Sequence, residues 1–313
     1  MSISIKKEQL ISHSVTTQSV EMTMQKIAAR IKKQGDKPHA TVTLQLKLLE
    51  QLGEFAFGRY LILNQGINGY WTHYMLTHPW YGRKTGQSTS GAPLKELEIF
   101  LLDKAPLILA TQQRFGIFLQ KNQEVVKNDA LLACIPCGMM GELLYLGFED
   151  ITNIKLMGLD YDPATLEEAK ELAKKQGLSH FVELNQGNAW KLDVDRQFDL
   201  ISSNGLTIYE PNEKKVTELY QLFYNALKPG GRLVSSFITP PPSLTIKCEW
   251  DMEQLNQNDL LLQKIIFTDI LEAKFQCYRS TSQSKQQLES VGFKDFEFIY
   301  DKARLFPTVI AYR

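Results

Sequence analysis

The chain has 313 residues, 43% of them hydrophobic, which is enough for one large or two ordinary domains around a sizeable core. Its 35 basic and 35 acidic side chains cancel, and a neutral chain lacks the clustered positive charge that general binding to a nucleic-acid backbone requires. No run approaches the roughly 18 apolar residues of a membrane span, so neither a nucleic acid nor a membrane is expected as a partner.

The opening MSISIKKEQLISHSV has no apolar core followed by a cleavage site. Cys134, Cys137, Cys248 and Cys277 do not form a disulfide framework. Cys134 and Cys137 make a CxxC, but no second CxxC or paired histidines exist to complete a zinc site. Free thiols fit a reducing compartment, and the expectation is a soluble cytoplasmic protein without a bound metal.

Glu21 to Lys33 predicts a short helix ending at Gly35. Thr41 to Leu63 carries apolar residues at helical spacing and predicts one or two amphipathic helices. The segment from Phe57 to Tyr81 then gathers Tyr60, Tyr70, Trp71, Tyr74, Trp80 and Tyr81 around His73 and His78. Rings in such a cluster pack a core or line a small-molecule pocket; Tyr70, Trp71 and Tyr74 are the candidates for touching a substrate. Residues 82–92, rich in Gly, Ser and Thr, read as an exposed loop. Pro93 to Lys121 is helical again, broken near Pro106. A boundary near residue 125 divides a helical N-terminal or lid domain, 1–125, from an αβ domain, 126–313.

From Leu131 onward apolar strands alternate with amphipathic helices, the pattern of a parallel sheet covered on both faces. The predicted strands are Leu131–Ile135, Ile154–Leu159, Phe181–Asn185, Phe198–Ser202, Arg232–Phe237, Lys294–Tyr300 and Thr308–Tyr312. Helices are expected over Glu142–Gly147, Pro163–Gln176, Lys214–Leu227 and Ser282–Val291, with a mostly helical insertion at about 240–280.

The first strand runs into Pro136-Cys137-Gly138 and then a helix. Strand, small-residue turn and helix are how an αβ sheet builds a ligand site at the carboxyl edge of its strands. Glycine lets the backbone turn and a ligand lie against it, while the helix start offers N–H donors. About 20 residues on, the second strand ends in Asp160, where a carboxylate can accept both hydroxyls of a ribose. Asp162 before Pro163 reads as a helix cap. Gly187-Asn188-Ala189 follows the third strand, and Asn188 can meet an adenine edge or simply make a turn. Ser203-Asn204-Gly205 closes the fourth strand, and Leu227-Lys228-Pro229-Gly230-Gly231 precedes the fifth.

Taken together, that ordered set resembles the class I S-adenosylmethionine-dependent methyltransferases, over about residues 125–240 and 282–313. The Leu-Lys-Pro-Gly-Gly-Arg-Leu string is its most specific match. The resemblance implies a Rossmann-like seven-stranded α/β sheet, S-adenosyl-L-methionine as cofactor and a small-molecule methyl acceptor. It implies that Pro136, Cys137, Gly138 and Met139 pack against the methionine part. Asp160 would bind the ribose, Tyr161 the adenine face, and Asn188 and Ala189 the adenine edge, with Asn204 and Gly205 near the sulfonium. Cys134 stands where the family carries an acid, Pro136 and Met140 where it carries glycines, and Asn188 where it carries Asp. These departures leave a catalytically inactive cofactor-binding module as the alternative. A Rossmann-type oxidoreductase is disfavoured because GxGxxG is missing. Tyr209 and His73 are the catalytic candidates, ahead of His78 and Glu210, should the acceptor need a base. A homodimer is compatible with the sequence.

Overall fold

A computed structural model describes residues 19–313; the opening stretch read above for a leader lies outside them. Helices lead. α1 (Val20–Gln34) starts at Ser19, whose side chain accepts from the Met22 N–H, and stops at Gly35 in the left-handed region. α2 (Val42–Gly53) is capped likewise by Thr41. α3 (Ala56–Asn64) and α4 (Gly69–Thr77) carry the aromatic cluster, and the Asn68 side chain caps α4. A single turn, α5 (Gly82–Thr85), occupies the start of the predicted loop. α6 (Glu96–Asp103) and α7 (Pro106–Gln123) follow. Pro106 therefore opens a helix instead of breaking one, because the first helical position needs no N–H.

The sheet is β1 (Leu131–Cys134), β2 (Lys155–Asp160), β3 (Val182–Gln186), β4 (Phe198–Ser203), β5 (Leu227–Ser236), β6 (Lys294–Ile299) and β7 (Thr308–Tyr312). Spatial order is β3-β2-β1-β4-β5-β7-β6. The first five strands are parallel and β7 runs antiparallel between β5 and β6. Interspersed are α8 (Gly141–Leu144), α9 (Pro163–Lys175), α10 (Glu213–Ala226), α11 (Gln257–Lys264) and α12 (Thr281–Ser290). This is the Rossmann-like seven-stranded sheet that the resemblance implied, preceded by the helical N-terminal region that the apolar spacing predicted.

Two details differ from expectation. Pro229-Gly230-Gly231 does not separate a helix from a strand: β5 already pairs at Leu227, and the register jumps between Phe198 and Leu200 on β4, so the triplet makes a bulge. The insertion is less helical than its apolar content suggested. It holds a 3-10 turn (Met252–Gln254), α11 and a π-helical turn (Ile265–Ile270), with irregular chain between.

Period-two alternation puts Leu132, Cys134, Leu156, Leu200 and Val234 on one face, under α8 and α9. Ala133, Ile135, Ile201, Leu233 and Val309 point to the other, under α10 and Leu288 of α12. A third cluster lies over the carboxyl edge of the strands. It joins Leu52, Phe57 and Leu101 of the N-terminal helices to Ile266, Phe267 and Phe275 of the insertion and to Leu305 and Phe306 of the β6–β7 loop.

Candidate active site

The turn after β1 is held from both sides. The Ile135 N–H donates to the Ser202 carbonyl and the Cys137 N–H to the Leu159 carbonyl, both at 2.9 Å. Gly138 has φ +50°, and its N–H donates to Asp160 Oδ2 at 2.9 Å, while Oδ1 accepts from the Asp162 N–H at 3.0 Å. The carboxylate at the end of β2 and the glycine bend are thus directly bonded. Desolvation raises the Asp160 pKa against the lowering effect of those two N–H donors. Met140, where the family has glycine, keeps the left-handed conformation at φ +60°.

The start of α4 rests on this bend. A Cβ on Gly69 would lie 2.5 Å from Thr165 Cγ2 and 2.8 Å from the Gly138 Cα, so only glycine admits the contact.

A second carboxylate, which the sequence reading missed, sits beside the turn. Glu142 of α8 is buried, with Oε1 accepting from Asn204 Nδ2 at 2.7 Å and Oε2 lying 3.7 Å from Cys134 Sγ. It brings an acid to the place that Cys134 leaves without one. Burial raises its pKa, opposed by the Asn204 amide and by the charge of Arg114. Asn122 Nδ2 fixes α8 through the Glu142 carbonyl at 3.1 Å, and Ser236 Oγ orients Asn204 at 3.2 Å. Cys134 and Cys137 are buried free thiols, and no group of three metal-ligating side chains forms among the described residues.

One cavity opens over these elements. Every cofactor-site candidate lines it: Pro136, Cys137, Gly138 and Met139 on the turn, Asp160 and Tyr161 after β2, Asn188 and Ala189 after β3, Asn204 and Gly205 after β4. Asn188 also plays the plainer part, its side chain accepting from the Trp190 N–H at 2.9 Å to cap a short turn. Beyond Gly205 the wall becomes apolar, with Ile108 of α7, Ile208, Phe267, Phe275 and Phe306.

Tyr70, Trp71 and Tyr74, read as substrate contacts, lie outside that wall; their neighbours Ile67, Asn68, Gly69, Thr72 and His73 form it instead. Trp71 is at the centre of a ring cluster with Phe57, Tyr60, Tyr70 and Tyr74, centroids 5.0–5.8 Å away. The Tyr74 hydroxyl donates to buried Glu98 at 2.8 Å. α4 turns Trp71 and Tyr74 into the helical core and its capped start toward the glycine bend.

Tyr209 lines the cavity, its hydroxyl oxygen accepting from the Ile67 N–H at 3.3 Å. Burial pushes its pKa up, so the phenol keeps its proton. His73 also lines the cavity, with Nε2 2.7 Å from the Tyr145 hydroxyl. Burial, then the Lys175 charge, lowers its pKa from 6.5 to about 4. In that interval the unfolded chain binds a proton that the folded one refuses. The stabilisation is complete above about pH 6.5 and is lost as pH falls toward 4, by at most about 1.4 kcal/mol per pH unit. His73→Phe is expected to flatten urea-derived stability between those limits; an unchanged slope would assign the acid sensitivity to other groups.

Residues 136–291 match a family model described as a methyltransferase domain. A solved structure from Bordetella parapertussis, described as a possible exported protein, is similar over 94% of this chain and 95% of its own, with 41% identity and a TM-score of 0.87. A candidate O-methyltransferase from Nostoc punctiforme shares 14% identity over 78% of this chain and 71% of its own, TM-score 0.49. Phosphoethanolamine N-methyltransferase 2 of Haemonchus contortus, solved with S-adenosyl-L-methionine, shares 13% over 64% and 52%, TM-score 0.46. No curated protein matches the chain. The description of the Bordetella protein overturns the cytoplasmic location expected above, which had rested on residues outside those described and on the free thiols. No helix among the described residues is long and apolar enough to cross a membrane. With the strand order, the bonded turn and aspartate, and the matched domain in agreement, residues 136–291 belong to the methyltransferase-domain family.

Proposed function

We propose that the protein methylates a small, largely apolar acceptor held between the sheet edge and the helical cap. The observation that carries this reading is continuity. A single cavity runs from Asp160 and Asn188, past Asn204 and Gly205, to the apolar wall of Ile108, Phe267 and Phe275. A mostly apolar wall with a few convergent polar groups suits a small molecule. On this reading residues 1–125 act as a lid over the cofactor-binding part, 126–313, and the insertion at about 240–280 completes the lid.

The donors present fit the cofactor. Asp160 presents a carboxylate for vicinal hydroxyls beside a bend with no Cβ at Gly138. Glu142 offers a carboxyl group at the turn, held by Asn204 and suited to an ammonium. When bound, S-adenosylmethionine supplies an already activated methyl group, so the hard chemistry is not the protein's. The chain's own residues must hold the acceptor in line, which contributes several kcal/mol when the approach is well aligned. Tyr209, with its proton retained, orients an acceptor oxygen or nitrogen; His73, the second catalytic candidate, stands neutral in the same cavity, and burial makes it a weak base.

Titration calorimetry with S-adenosylmethionine, followed by mass spectrometry of products from a panel of phenols, amines and carboxylic acids, tests the reading. A heat of binding and a product 14 mass units heavier (about one CH2) are expected. No heat at millimolar cofactor with folded protein would sink it. Binding without any product marks a non-catalytic cofactor-binding module, the reading favoured by Pro136 and Met140 in place of glycines.

A further inference from the structure

Arg114 of α7 is 3% exposed and lines the cavity at the meeting of its polar and apolar parts. Its Nε and Nη1 are buried with no hydrogen-bond partner. Burial lowers its pKa only to about 10, so it is charged at neutral pH.

The two carboxylates that face it are engaged elsewhere. Glu142 holds Asn204 and Cys134. Asp301 accepts from the N–H groups of Ala303, Leu305 and Phe306 at 3.1, 3.3 and 2.7 Å. Neither forms an ion pair with Arg114 among the described residues. Phe306 covers one face of the guanidinium, its centroid 4.1 Å from Cζ, and leaves the edge donors unused. A buried, unpaired cation is strongly unfavourable in a folded protein. The planar fork of a guanidinium matches a carboxylate with two parallel N–H···O bonds.

We propose that Arg114 is a carboxylate-binding residue of this cavity, receiving either the carboxylate of the cofactor's methionyl tail or that of an apolar acid serving as acceptor. The proposal rests on the methyl-transfer reading above. It explains why a guanidinium is buried against Phe306 in the wall of a cavity that Leu107 and Ile108 also line.

The test uses the full chain and its Arg114→Met and Arg114→Lys variants. The probes are S-adenosylhomocysteine, its decarboxylated analogue S-adenosyl-3-thiopropylamine, and a series of benzoate, phenylacetate and hexanoate. If the cofactor supplies the carboxylate, Arg114→Met weakens S-adenosylhomocysteine on the order of 30-fold or more and leaves the decarboxylated analogue unchanged. If the acceptor supplies it, S-adenosylhomocysteine affinity holds, while the acids bind the loaded wild-type protein and not the variant. Arg114→Lys, which keeps charge without the fork, falls between and carries the same comparison should the Met variant not fold. Ligand-free Arg114→Met is expected to melt no lower than the wild type. Unchanged S-adenosylhomocysteine affinity, together with acids that bind neither protein or both equally, overturns the proposal. A wild type that binds no S-adenosylhomocysteine removes the methyltransferase reading instead, and the acid series on the unloaded protein then decides Arg114 by the same comparison.

Discussion

Replacing Asp160 with alanine is expected to weaken S-adenosylmethionine binding by about 1–3 kcal/mol, the cost of hydrogen bonds lost from a charged acceptor. Two effects combine in that figure. The carboxylate stands at the cavity rim as an acceptor for ribose hydroxyls, and it also fixes the Gly138 and Asp162 N–H groups. Asp160→Asn separates them, since an amide oxygen can still hold one backbone N–H while the negative charge is gone. Calorimetry on both variants, with urea unfolding alongside, reads the two contributions. Affinity unchanged in Asp160→Ala would remove the ribose assignment altogether.

The largest loss of stability should follow from Arg279→Leu, about 3–5 kcal/mol, the range found when one partner of a buried charged network is removed. Arg279 is 1% exposed. Its Nε donates to Glu213 at 3.0 Å, Nη1 to the Thr207 carbonyl at 2.8 Å, and Nη2 to the Glu210 carbonyl at 2.5 Å. These partners span the connection from β4 to α10, the segment that carries Ile208 and Tyr209 into the cavity wall. Leucine would leave the Glu210 carbonyl without a donor and the Thr207 carbonyl with the Glu210 N–H alone, so a lowered urea midpoint is the expected readout. A change within about 1 kcal/mol, an ordinary surface value, would mean that the segment is held by its packing alone.

What could be read from the residues, and what could not, divides along a physical line. Strand alternation from Leu131, the aspartate ending β2 and the loop Asn204-Gly205 are local signals, and each falls at the sheet edge where expected. Glu142 and Arg114 were invisible for the opposite reason. Their importance depends on which neighbours α7 and α8 present once packed, which a residue-by-residue reading does not supply. Arg114 is followed by Phe115 and Phe118, both buried, so a helical wheel could have raised it. The aromatic cluster was ambiguous for a related reason, because ring-rich helices serve cores and pockets alike. Only the direction in which α4 enters the fold decides between them.

The helical cap has one interior built from distant parts of the chain: Leu52 and Leu101 near one end meet Ile266, Phe275 and Leu305 near the other. Trimming the protein to a smaller catalytic fragment would therefore strip the greasy underside of the 257–275 segment and expose it to water. The two ends must be made, and kept, together.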